Sequence, residues 1–89
     1  MERDVEKVFV AEGRRRGALV LKLASPGCAG VPDRMVLLPG GVCRFVEVKA
    51  PGRGPRPLQR RVFGRFAALG HAVDVVDSAD AARSWWEGL

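Results

Sequence analysis

Apolar residues at Val5, Val8 and Phe9 recur with helical spacing and predict a first helix from about Arg3 to Arg15, ended by Gly17. From Ala18 to Ala24 the alternation is only partial, but the run is rich in Leu and Val. A strand is expected there, followed by the loop Ser25-Pro26-Gly27-Cys28-Ala29-Gly30. Arg34 to Leu38 and Cys43 to Lys49 read as two more strands, joined through the tight turn Pro39-Gly40-Gly41 into a hairpin. After a Gly-, Pro- and Arg-rich loop from Pro51 to Pro57, the residues Leu58, Val62, Phe66 and Leu69 mark a second amphipathic helix closed by Gly70. His71 to Val76 predicts a last strand, and Asp77 or Ser78 caps a closing helix through Glu87. The order α-β-β-β-α-β-α implies an α/β sandwich with a mixed central sheet. At 89 residues the chain is expected to be a single domain, 1–89, with one modest core.

The strand from Arg44 to Lys49 breaks its own pattern. Side chains two apart on a strand share a face, so Phe45, Glu47 and Lys49 point one way and Val46 and Val48 the other. An acid and a base thus stand where hydrocarbon is expected, which is costly unless they are paired or bind a metal. Asp33 and Glu47 each lie about 7 residues from Gly40, so antiparallel pairing about the turn brings them face to face. Phosphodiester cleavage needs a divalent cation on hard oxygen ligands, and these two carboxylates are of that kind. The backbone carbonyl of Val48 is the expected third protein ligand. The ammonium of Lys49 can orient and help deprotonate an attacking water or offset charge in the transition state. Taken alone, a Glu-x-Lys pair is more often an exposed charge pair on a strand, and Pro-Asp an ordinary turn.

The wider context is a resemblance. Leu21-Lys22-Leu23-Ala24-Ser25-Pro26-Gly27, Gly30-Val31-Pro32-Asp33-Arg34, Leu37-Leu38-Pro39-Gly40-Gly41, Phe45-Val46-Glu47-Val48-Lys49-Ala50-Pro51-Gly52 and Leu58-Gln59 follow one another in the order of a known family. The chain resembles the virus-type replication-repair nuclease domain (VRR-NUC), a branch of the PD-(D/E)XK superfamily, nearly end to end. The resemblance implies a restriction-endonuclease-like sandwich with Asp33, Glu47 and Lys49 as its catalytic core and Gln59 as a supporting residue on the following helix. It also implies an acid on the first helix, a place that Glu2 and Glu6 both fit. With Val5, Val8 and Phe9 as the buried stripe, Glu2 lies slightly closer to its centre, although acids in a first turn are also ordinary partners of the helix dipole.

Composition narrows the partners. Fifteen Lys and Arg against ten Asp and Glu give a net charge of +5. With a pI near 10.2, this favours a polyanion. Basic residues cluster at Arg14-Arg15-Arg16 and at Arg53, Arg56, Arg60, Arg61 and Arg65, where they read equally as phosphate contacts or as solvated surface. Cys28 and Cys43 lack zinc-like spacing and, with a single histidine, make a structural zinc site an unfavoured reading. No apolar run approaches the roughly 20 residues of a membrane span. His71 is expected to be structural. Trp85 and Trp86 could stack bases, but on a closing helix at least one is expected in the core or at a dimer interface.

These features predict a DNA endonuclease dependent on Mg²⁺ or Mn²⁺. The resemblance implies a homodimer acting on branched DNA such as a four-way (Holliday) junction, in a phage or prophage setting, and the two cysteines, far apart in sequence, fit the reducing cytoplasm of a bacterial host. A DNA-binding module with a vestigial or partner-dependent nuclease site is the alternative from another class. A nuclease of RNA or single strands is a third, and the chain carries no glycine–aromatic RNA-binding motif in its favour.

Overall fold

The computed structural model describes all residues, 1–89. The elements are α1 (Glu2–Arg15), β1 (Leu19–Lys22), β2 (Arg34–Leu38), β3 (Val42–Val48), α2 (Pro57–Ala68), β4 (Val73–Val76) and α3 (Ala79–Glu87). This is the expected order. The four strands form one sheet in the order β1-β2-β3-β4. The β1/β2 and β2/β3 pairs are antiparallel and β3/β4 is parallel, so the sheet is mixed. None of the helices is long and apolar enough to cross a membrane.

The sheet buries the centre of one face. Val36, Val46, Val48 and Val76 point toward α1 and α3, where they meet Val5, Phe9, Ala82 and Trp86 in a single core. Each fully buried side chain of this size stabilises the fold by about 1.5–3 kcal/mol. Phe9 lies at its centre, with both tryptophan rings 5.2 Å away. The buried indole N–H of Trp86 donates to the Phe9 carbonyl at 3.0 Å, so the largest core residue leaves no polar atom unpaired. Trp85 packs on the same ring and donates to Asp74 at 2.8 Å. Both tryptophans therefore serve the fold.

The opposite face is covered only in part. Phe45 meets Phe66 of α2 edge to face at 5.1 Å, and the ring of His71 stacks edge-on against Phe45 at 5.9 Å. The β1–β2 half of this face, carrying Leu19, Leu21 and Leu37, is exposed.

Two strands are shorter than the apolar pattern predicts. β1 ends at Lys22, paired with Arg34, although Leu23 N–H still reaches the Asp33 carbonyl at 2.8 Å before the Ser-Pro-Gly loop diverges. β4 begins at Val73, because His71 N–H is used to close α2 by donating to the Phe66 carbonyl at 2.8 Å. The hairpin turn places Gly40 and Gly41 at φ of 82° and 77°, two consecutive left-handed positions that only glycine occupies without strain. Ser78, one of the two expected caps, is the N-cap of α3 and accepts from Ala81 N–H at 2.9 Å.

Gly13 is a helical glycine with a packing reason. A Cβ there would stand 2.5 Å from Val20 Cγ2 and 2.8 Å from the Trp86 ring, so α1 approaches the sheet and α3 closely only because this side chain is missing. Gly13→Ala should therefore destabilise the protein by about 1–3 kcal/mol through overpacking. This outweighs the gain of up to about 1 kcal/mol in helix propensity. Urea unfolding followed by circular dichroism checks the sign; a stabilised variant would contradict the close approach.

Candidate active site

The register of the hairpin decides the geometry of the site. Arg34 pairs with Val46, which sets Asp33, just before β2, opposite Glu47 on β3. Backbone donors then hold both carboxylates across the strand pair. Asp33 N–H donates to Glu47 Oε1 at 3.0 Å, and Val48 N–H donates to Asp33 Oδ1 at 3.2 Å. Glu47 lies on the Phe45 face and is only 3% exposed. Its second oxygen, Oε2, receives Lys49 Nζ and Gln59 Nε2, both at 2.9 Å. One buried carboxylate thus collects three donors from three segments of the chain, as a buried charge requires.

Gln59 has two duties. Its amide donates to Glu47, while its Oε1 accepts from Arg56 N–H at 2.9 Å and so satisfies a free donor at the start of α2. Pro57 at the first helical turn starts α2 at that point, which holds Gln59 against the end of β3.

Of the two acids on the first helix, Glu6 is the one the structure brings toward Asp33. It receives Arg34 Nη2 at 2.8 Å, and Arg34 adjoins Asp33 in sequence while facing α1, on the same side as Val36. Glu2, favoured by its place near the apolar stripe, is instead exposed and makes no ion pair. The reason is that α1 begins at Glu2 itself, so this residue sits at the open end of the helix and Glu6 a full turn further in. Arg34 was missed by sequence reasoning. The available signal was its place beside Asp33 on the face that alternation turns toward the first helix.

Asp33 carries the electrostatic cost of this arrangement. Burial first, and then the Glu47 carboxylate, raise its pKa from 3.8 to about 7, and Glu6 adds to the rise; the Val48 N–H and Arg34 oppose it. Asp33 Oδ2 accepts no hydrogen bond from the protein. No three His, Cys, Asp or Glu side chains gather into a ready-made metal site. What converges is a pair of opposed carboxylates, one of them with a free oxygen and short of positive charge. The Val48 carbonyl belongs to the residue whose N–H holds Asp33. Hard oxygens around a deficit of positive charge suit a small divalent cation that keeps several waters. Asp33, Glu47 and the Val48 carbonyl are the groups that would hold it.

A sandwich of this order, with carboxylates opposed across β2 and β3 and a lysine two residues beyond the second, has the PD-(D/E)XK-like nuclease fold. No family model matches the chain. It is 52% identical over 79 residues to "Putative nuclease p44" of Acyrthosiphon pisum secondary endosymbiont phage 1, spanning 89% of this chain and 85% of that protein. A solved structure described as "VRR_NUC domain" superposes with a TM-score of 0.90 at 39% identity, over 97% of this chain and 94% of the other. The chain belongs to the VRR-NUC family.

The state of Asp33 has a measurable consequence in metal-free solution. Between pH of about 4 and 7 the folded protein holds a proton on Asp33 that the unfolded chain has released, so stability falls as pH rises through this window and levels off above it. Asp33→Asn removes that cost. Discounted for partial solvent exposure, the variant should be about 1–3 kcal/mol more stable than the wild type at pH 8, with the advantage shrinking toward pH 5. Chemical denaturation at both pH values in chelator checks this. A variant destabilised at pH 8 would contradict it.

Proposed function

We propose that this nuclease domain hydrolyses DNA phosphodiesters with a divalent cation, Mg²⁺ or Mn²⁺, held by Asp33, Glu47 and the Val48 carbonyl. The observation that carries this reading is the pair of carboxylates opposed across β2 and β3, one of them unsatisfied and raised in pKa, with Lys49 and Gln59 gathered on the other. Bound there, the cation supplies positive charge at the phosphoryl group and acidifies a water. The rest is the work of this chain's own side chains. Lys49 Nζ, anchored on Glu47, holds a positive charge at the site, where it can orient the attacking water and offset charge developing on the phosphate. Gln59 fixes the rotamer of Glu47, and the Arg34–Glu6 pair acts electrostatically on Asp33.

The reading extends to assembly and substrate. The uncovered half of the sheet, with Leu19 at 55% and Leu37 at 38% exposure, is an apolar face that a second copy would cover. A two-fold dimer places two sites at a fixed separation, and that suits a branched DNA such as a four-way junction, in which two strands are cut at matching positions. The exposed arginine surface suits a polyanion, and the phage origin of the p44 relative suits a phage or prophage setting in a bacterial cell.

Asp33→Asn and Glu47→Gln should each abolish cleavage of labelled DNA while leaving the fold intact. Lys49→Ala should lower the single-turnover rate by roughly two to four orders of magnitude with a much smaller loss of DNA binding. Turnover by the wild type in excess chelator would overturn the metal-dependent reading. DNA binding without cleavage in Mg²⁺ or Mn²⁺ would make the protein a binding module.

Light scattering should report a dimer under cleavage conditions, and four-way junctions should be cut faster than duplex of the same sequence. Replacing Leu19 and Leu37 with Asp should yield monomers. A wild-type monomer, or equal rates on the two DNAs, would leave a general nuclease in place of a junction-cutting dimer.

A further inference from the structure

We propose that the flank of α1 carrying Arg3, Lys7 and Arg14 forms, with Arg34, a track for the DNA backbone that runs beside the candidate active site. This inference rests on the reading of the protein as a nuclease acting on DNA. The three residues line a shallow groove of about 290 Å³ with Glu6 and Arg34. Their positions recur at helical spacing, so they stand along one flank of the helix. A rise of 1.5 Å per residue sets Arg3 and Lys7 about 6 Å apart along the axis, and Arg14 about 10 Å further on. A duplex strand advances about 3.4 Å per phosphate along its own axis, so the groove is long enough for several nucleotides.

Pairing within the protein separates this flank from the other arginines of the same helix. Arg15 and Arg16 both donate to the Glu12 carboxylate at 2.6 Å, so two side chains of the run Arg14-Arg15-Arg16 share one acid and only Arg14 is left without a partner. Arg3, Lys7 and Arg14 make no ion pair or side-chain hydrogen bond with the protein. The one acid in the groove, Glu6, is committed to Arg34. Level with Glu6, between Arg3 and Lys7 along the helix, Arg34 is 14% exposed and adds its guanidinium to the groove beside Asp33. The groove therefore presents three free cations and a fourth, Arg34, that adjoins Asp33 in sequence. A nucleic acid strand, with regularly spaced phosphates, is the occupant that this linear charge fits.

The test is DNA binding measured by fluorescence anisotropy, with a branched DNA, over a series of salt concentrations in a cleavage-silent Asp33→Asn background. Replacing Arg3, Lys7 and Arg14 together with Ala should weaken binding about 10- to 100-fold near 0.1 M salt and reduce the slope of log K against log salt by about two to three. An equal loss of charge elsewhere, Arg15→Ala with Arg16→Ala and Arg83→Ala, should change the slope by clearly less, about one, because Arg15 and Arg16 are engaged by Glu12 and Arg83 by Asp80. Lysine at positions 3 and 14 should restore most of the slope, and melting temperatures should show that all variants fold. Equal effects of the two triple variants, or an unaltered slope for the groove variant, would overturn the track while leaving cleavage by the wild type untouched. Absence of DNA binding by the wild type would overturn both the track and the nuclease reading.

Discussion

The contact between Asp33 and Glu47 is the constraint on which the site depends. Two carboxylates are held across adjacent antiparallel strands by backbone donors, Glu47 by the Asp33 N–H and Asp33 by the Val48 N–H, so their placement follows from the pairing of β2 with β3. The left-handed glycines at 40 and 41 fix that pairing at its far end. A slip of one residue would turn Glu47 into the valine core and Val46 or Val48 out of it. The core therefore enforces the site: the same register buries Val36, Val46 and Val48 and opposes the two acids.

This architecture divides its acids into two kinds. Glu47 is fully supplied with donors, and each supplier does something else as well: Asp33 carries the facing carboxylate, Lys49 a charge at the site, and Gln59 the start of α2. Asp33 is left undersupplied, with one backbone donor against burial and two nearby carboxylates. A protein optimised for stability alone would place an amide there. Retaining the acid is a cost of the kind expected where function sets the chemistry.

Much of this was legible in the sequence because it follows from short-range counting. The order of elements came from periodicity and turn residues. The opposition of Asp33 and Glu47 came from their equal distance to Gly40, and the shared face of Phe45 and Glu47 from alternation. The place of Gln59 against Glu47 came from the family resemblance. What counting could not supply was the rotation of α1 about its axis. That is set by how Phe9, Gly13 and Val5 seat against the sheet and α3, and it decides that Glu6 reaches Arg34 while Glu2 stays in solvent. The same rotation splits the Arg14-Arg15-Arg16 run, sending two side chains to Glu12 and one into the groove. The exposed half of the sheet was equally hidden, since apolar strand residues look alike whether a helix covers them or not.

Asp33 and Glu47 form an unfavourable carboxylate pair, which the proposed divalent cation would relieve. Thermal melting of the DNA-free protein at pH 8, with Mn²⁺ titrated from micromolar to millimolar, tests it most directly, since a ligand that binds only the folded state raises the melting temperature with concentration. The wild type should gain stability with Mn²⁺, and Asp33→Asn, already relieved of the charge, should gain far less. Equal gains in the two proteins, or no gain in the wild type, would contradict the account.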